Sequence, residues 1–277
     1  MRQTRSKIKI LDCTLRDGGY YNNWHFSKNL VQQYLDTMSE TGIEYVELGF
    51  RFLKKNSKLG SCAFTKDSFI KSFKIPKNIN IGIMVNASDL NSLKISNEDK
   101  VKLILGKKSK RNLIRFIRFA CHLEDVKLVL PLIEIIKKEK IKVFINLMQI
   151  SDIKKRDLMK TLSLLSKSKM DIFYFADSMG SLDSNRIKEI LKLIKSKWSG
   201  EIGFHAHDNM GKALSNVKSA AKNGVTWIDC TVLGMGRGPG NAKTEYVIMD
   251  FKDYFNKKVN IVPLLDLIKL WFEPLKK

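Results

Sequence analysis

The 277-residue chain is 44% hydrophobic and 9% aromatic, enough apolar material for one large domain with a sizeable core. Its formal charge of +22 comes mostly from lysines scattered over helical faces such as Lys137-Lys138-Glu139-Lys140, without an aromatic-basic platform, so no nucleic-acid partner is expected. The chain lacks both an apolar run of membrane-spanning length and a signal-peptide core, so no membrane association and a cytoplasmic location are expected. Cys13, Cys62, Cys121 and Cys230 lie far apart without CxxC pairing and are expected to stay reduced.

In chain order, Lys7 to Cys13 predicts a buried strand running into Thr14-Leu15-Arg16-Asp17-Gly18-Gly19, where two glycines permit a bend that would bring Arg16 and Asp17 to one side. Ser27 caps a helix with Leu30, Tyr34, Leu35 and Met38 at helical spacing, and Gly42 ends it. Ile43 to Phe50 is a second strand carrying Glu47. Arg51 to Phe73 reads as a long loop with a helix, and Asn80 to Asn86 as a third strand. Asn112 to Ala120 predicts strand four and Glu124 to Lys140 a helix that Pro131 is expected to kink or shorten. Strands follow over Ile141 to Gln149, Asp171 to Ala176, Glu201 to His207 and Val225 to Leu233. Helices are expected over Asp152 to Ser168, Asp183 to Lys197 and Lys212 to Lys222.

Eight strands alternating with helices predict an α/β fold, a TIM (β/α)8 barrel over about residues 7–250 with a short helical extension over about 251–277, in one catalytic domain. The apolar run from Val259 to Leu275 has two packings open to it, on the barrel or on a second copy in a homodimer. Asp17, Glu47, Asn86, Asn146, Gln149, Asp177, His205, His207 and Asn241 all fall at C-terminal strand ends, the face where such barrels build active sites.

His205 and His207 are two apart on one strand and so share a face; with Asp17 across the closed barrel they offer two nitrogens and a carboxylate to one divalent ion. Without thiolate this set favours Mn2+ or Mg2+, with Co2+, Fe2+ and Zn2+ compatible. Glu47 is costly to bury alone, which pairs it with Arg16 as the group that orients that guanidinium. The loop with Gly234, Gly236, Arg237, Gly238 and Gly240 reads as a hinged lid, and Asn241 either completes the metal shell or caps the last helix.

The motifs LDCTLRDGG (11–19), VELGF (46–50), GFHAHDN (203–209) and LGMGRGPGN (233–241) resemble the DRE-TIM metallolyase family, which includes 3-hydroxy-3-methylglutaryl-CoA lyase, isopropylmalate and homocitrate synthases and 4-hydroxy-2-oxovalerate aldolase. The resemblance implies a divalent ion on Asp17, His205, His207 and Asn241, with Arg16 stabilising a metal-bound enolate and Glu47 orienting Arg16. It implies formation or cleavage of a carbon–carbon bond next to the carbonyl of a 2-oxo acid such as pyruvate, with an aldehyde or acyl partner. The alternative is an acyl-CoA-dependent Claisen-type synthase. Those synthases carry Glu-Gln after Arg-Asp-Gly where Gly19-Tyr20 stands here, which favours the aldolase-like lyase. Tyr21 and His25 are the candidates for proton transfer: the phenol suits an acid and the imidazole a base. Phe50, Asn146, Gln149 and Ser178 are expected to bind substrate.

Overall fold

The computed structural model describes residues 8–106, 113–254 and 259–276. Lys7 and Asn112, where the first and fourth strands were expected to open, lie outside them. Eight strands, β1 (Lys9–Asp12), β2 (Tyr45–Phe50), β3 (Asn80–Asn86), β4 (Phe116–Cys121), β5 (Lys142–Leu147), β6 (Ile172–Asp177), β7 (Glu201–Ala206) and β8 (Trp227–Cys230), pair in parallel in sequence order, and β8 closes on β1. The predicted TIM barrel is borne out.

Helix α1 (Lys28–Thr41) opens where the Ser27 hydroxyl accepts from the Leu30 amide and ends on left-handed Gly42. Between β2 and β3 stand two single turns, Ser61–Phe64 and Asp67–Ile70. Helix α2 (Asn97–Leu105) follows β3 and has no counterpart in the sequence reading. Its signal was Ser96, whose hydroxyl accepts from the Asp99 amide and sits three residues before that carboxylate. Helix α3 (Val126–Lys138) continues unbroken through Pro131, which sits on its exposed face, so the proline does not shorten it. Helices α4 (Lys155–Leu165), α5 (Ser184–Lys195), α6 (Ala213–Lys222) and α7 (Thr244–Asp250) complete the ring. β8 stops at Cys230, three residues before its expected end, because the chain turns through Val232–Gly234 with Leu233 left-handed. From α8 (Val262–Leu267) the C-terminal run packs on α1, with Phe272 buried against Tyr34, so this part of it covers the barrel. No helix among the described residues is long and apolar enough to cross a membrane, and all four cysteines are free and buried.

Side chains inside the barrel stack in layers set by the two-residue period of the strands. The lower layer is apolar: Leu11, Phe116, Phe144, Ile172, Tyr174 and Trp227, with Tyr45 against them. Phe116 and Phe144 stack at 4.8 Å, and the rings fit because glycine stands opposite two of them. A Cβ on Gly82 would lie 1.9 Å from Phe116, and one on Gly203 would lie 2.3 Å from Tyr174. Two residues further along their strands come Glu47, Arg118, Asn146, His205 and Asp229, a polar layer resting on the aromatic floor.

The packing limits volume at that floor. A Gly82→Ala variant is expected to lose about 1–3 kcal/mol of stability by overpacking, measured by urea unfolding; an unchanged midpoint would show that the Phe116 ring moves aside freely.

Candidate active site

The turn after β1 is fixed by Asp12. Its buried carboxylate accepts from the Thr14 amide (2.9 Å) and hydroxyl (2.5 Å), from Tyr34 Oη (2.5 Å) and from Thr244 Oγ1 (2.6 Å), tying β1 to α1 and α7. Thr14–Asp17 then form one helical turn, and Arg16 and Asp17 converge by pairing with each other. Gly18 and Gly19 do not supply the expected bend, since both lie in a right-handed turn. They allow close approach instead: a Cβ on Gly19 would lie 2.0 Å from the Trp24 ring, whose Nε1 donates to the Arg16 carbonyl.

Arg16 Nε donates to Glu47 Oε2 at 2.7 Å, so the predicted pair is present. Glu47 is shared with Arg118 of β4, whose Nε and Nη2 donate to its two oxygens at 2.9 and 2.7 Å. Arg118 also pairs with Asp229 of β8. Asp229 Oδ2 in turn receives His205 Nδ1 at 2.8 Å, and His205 Nε2 faces Asp17 Oδ2 at 3.4 Å. The contacts close a circuit: Asp17, Arg16, Glu47, Arg118, Asp229, His205 and back to Asp17. Burial alone would raise Glu47, but Arg118 and Arg16 hold its carboxyl below the usual range; burial opposes the charge on Arg16, and Asp17 and Glu47 outweigh it. Burial keeps His205 well below the usual imidazole range, hence neutral.

Arg118 and Asp229 escaped the sequence reading, although each is a charge in a short apolar strand, FIRFAC and WIDC, the signal that singled out Glu47. Asp229 occupies the strand between those of Asp17 and His205.

Because a carboxylate only accepts, Nδ1 of His205 carries the hydrogen and Nε2 presents its lone pair on the Asp17 side. His207 lies just past β7, bridged to Asn241, with its ring 5.1 Å from that of His205. Asn241 Nδ2 donates to Asp17 Oδ2 (2.8 Å) and to the Met235 carbonyl (3.2 Å), while its Oδ1 is buried without a partner. Cys13, His205 and Asp229 also offer ligand atoms within 4.8 Å of one another. That trio is a poorer cation site: Asp229 Oδ2 already serves Arg118 and His205, and burial pushes the Cys13 thiol well above its usual range.

Phe50 is buried at the end of β2, its ring 5.7 Å from the Arg16 guanidinium carbon, and Asn146 is buried with Oδ1 unpartnered. Gln149 is exposed in a left-handed conformation, its amide held by Ser178 Oγ, so that hydroxyl serves the backbone. Asp177 likewise accepts from the Ser181 and Leu182 amides. Tyr21 is exposed, and His25 turns its ring to the Lys58 carbonyl at 3.1 Å. Tyr20, passed over in the sequence, stacks edge-on with Trp24 beneath the Arg237 guanidinium. The 234–240 loop is pinned by bonds from Asn241 N to the Gly234 carbonyl and from Asp208 N to the Gly240 carbonyl. Gly240 is required where the Gly234 oxygen would lie 1.7 Å from a Cβ, so this glycine serves close packing, and exposure is confined to Arg237, Gly238 and Pro239.

The sequence profile of the HMGL-like family matches residues 7–270, and the chain belongs to that family. It is thus an enzyme of the aldolase and lyase kind. It is 25% identical over 245 residues to a 4-hydroxy-2-oxovalerate aldolase of Carboxydothermus hydrogenoformans, covering 87% of this chain and 70% of that protein. An oxaloacetate decarboxylase of Mycobacterium tuberculosis is 22% identical, over 90% of this chain and 71% of its own length. Among solved structures, the N-terminal domain of a putative aldolase from Bacteroides vulgatus superposes with a TM-score of 0.84 at 33% identity, covering 97% of this chain and 87% of that one.

Replacing Arg118 by Met leaves Glu47 and Asp229 buried without their shared cation. The expected loss is about 3–5 kcal/mol of stability, read by urea denaturation of Arg118→Met; a loss below about 1 kcal/mol would mean the circuit is not tightly buried.

Proposed function

We propose that the protein is a divalent-metal-dependent aldolase or lyase that forms or cleaves a carbon–carbon bond next to the carbonyl of a 2-oxo acid such as pyruvate, through its enolate. The observation that carries this reading is Arg16: fixed between Asp17 and Glu47, it keeps Nη2 buried and unpaired, and the Asp17 carboxylate it pairs with faces His205 Nε2 at 3.4 Å.

The residues present fit a divalent ion. Asp17, His205 Nε2 and His207 are an oxygen–nitrogen set, and the partnerless Oδ1 of Asn241 is a buried acceptor that a cation would satisfy. An ion held there supplies Lewis acidity toward the keto and carboxylate oxygens of the 2-oxo acid. Arg16 adds a charge-assisted hydrogen bond where negative charge grows on the enolate oxygen, a contribution of roughly 3 kcal/mol by comparison with oxyanion donors. Glu47 and Arg118 keep that guanidinium from turning away, and Asp229 keeps the His205 lone pair on Nε2. Phe50 walls the guanidinium on one side, and Asn146, with Gln149 and Ser178 on the rim, completes the substrate pocket. The proton to and from carbon is carried by the segment after Arg16, where Tyr21 and His25 are joined as candidates by Tyr20, which lies under Arg237. The names of the curated relatives, aldolase and decarboxylase, support bond-making or bond-breaking next to a 2-oxo group.

With Mn2+ or Mg2+, the protein is expected to exchange pyruvate methyl protons with deuterium from the solvent, followed by NMR. Arg16→Ala is expected to slow this exchange by at least roughly a hundredfold, and His205→Ala to abolish it. Exchange that persists in both variants would contradict the mechanism.

A further inference from the structure

An open pocket of about 510 Å3 lies past the C-terminal ends of β2 and β3, lined by Phe52, Lys54, Lys55, Asn56, Asn86 and Asp89. Asn86 closes β3 and Phe52 follows β2, so the cavity lies on the same C-terminal face as Arg16 and His205. The Phe52 ring stacks on Phe50 at 4.5 Å, and Phe50 faces the Arg16 guanidinium, so two stacked rings separate the cavity from the reacting end of the site. Its volume falls in the range of ligand pockets and exceeds the need of a two-carbon aldehyde.

The loop that carries the lysines is held in place. Gly60 N donates to the Asn23 carbonyl (2.8 Å), the His25 ring meets the Lys58 carbonyl, Lys58 N donates to Asn56 Oδ1 (3.0 Å) and Phe52 N donates to the Ala63 carbonyl (3.0 Å). Its outer anchor is the segment directly after Arg16–Asp17. Neither Lys54 nor Lys55 has a carboxylate partner among the described residues. Asp89, the acidic residue of the lining, turns Oδ2 to the Leu53 amide (3.4 Å). The pocket therefore offers two exposed cations and an amide, Asn86, beside the one carboxylate of Asp89.

We infer that this cavity is the subsite for the second substrate, and that it selects an acceptor aldehyde bearing an anionic tail, a phosphate or a carboxylate. The inference rests on the aldol reading above. In that reaction the pyruvate methyl carbon loses a proton, its electron pair forms the bond to the aldehyde carbon, and the aldehyde oxygen takes up a proton; nothing is oxidised or reduced. The tail stays unreacted against Lys54 and Lys55 while the aldehyde reaches across Phe50 and Phe52.

The test uses the Mn2+-loaded full chain with pyruvate and paired acceptors: glyceraldehyde 3-phosphate against glyceraldehyde, and succinic semialdehyde against butyraldehyde. The wild type is expected to favour an anionic member by kcat/KM, the pair that shows it telling phosphate from carboxylate. In Lys54→Ala/Lys55→Ala the anionic-to-neutral ratio is expected to fall by roughly tenfold, the size of two solvent-exposed ion pairs, and added salt is expected to shrink the wild-type ratio. Taking the ratio within one variant cancels any general loss of activity. No preference in the wild type, or a ratio unmoved by the double substitution, overturns the subsite while pyruvate proton exchange keeps the aldol reading standing. Absence of that exchange from the wild type removes both.

Discussion

Charges sealed inside a barrel must neutralise one another, and that requirement shapes the site. Asp17, Arg16, Glu47, Arg118 and Asp229, with neutral His205, close into a circuit that crosses the barrel from β1 through β2 and β4 to β8 and β7. A buried ion pair contributes little net stability over apolar packing, but losing one partner costs a great deal, so each member dictates the position of the next. In this circuit Arg16 and His205 Nε2 both meet the Asp17 carboxylate.

The circuit also prepares the electrostatics. Burial raises the Asp229 carboxyl while Arg118 and Arg16 pull against it; with all three carboxylates of the circuit ionised, two guanidinium groups stand against three negative charges, one in excess. A divalent cation reverses that balance, and a 2-oxo acid brings back a negative charge. The aromatic floor of Phe116, Phe144, Tyr174 and Trp227 keeps the field strong by excluding water beneath the polar layer, and the Arg118 guanidinium lies 4.8 Å from the Tyr174 ring. Asp12 gives the arrangement its rigidity from outside, since four donors on one carboxylate hold the turn that presents Arg16 and Asp17.

Much of this was legible in the residues. The strand–helix alternation, the histidine pair, Asp17 and the Arg16–Glu47 pair follow from periodicity and from the cost of burying a lone charge. Arg118 and Asp229 follow from the same cost, but their partners come from strands 111 residues apart in the chain, a pairing that closure alone reveals. Local geometry was less legible. Whether glycines bend a chain or make room for a ring depends on what packs there, and at Gly19 and Gly240 it was the neighbour, Trp24 or the Gly234 carbonyl, that decided.

The central claim is that the buried circuit exists to present Asp17, His205 Nε2 and His207 to one divalent ion with Arg16 beside it. Crystals grown with Mn2+ and oxalate, with data collected for manganese anomalous scattering, test it directly. The account predicts a single strong peak coordinated by Asp17, His205 and His207, with an oxalate oxygen within hydrogen-bonding reach of Arg16. A peak among Cys13, His205 Nδ1 and Asp229, or no peak near the histidines, would contradict it.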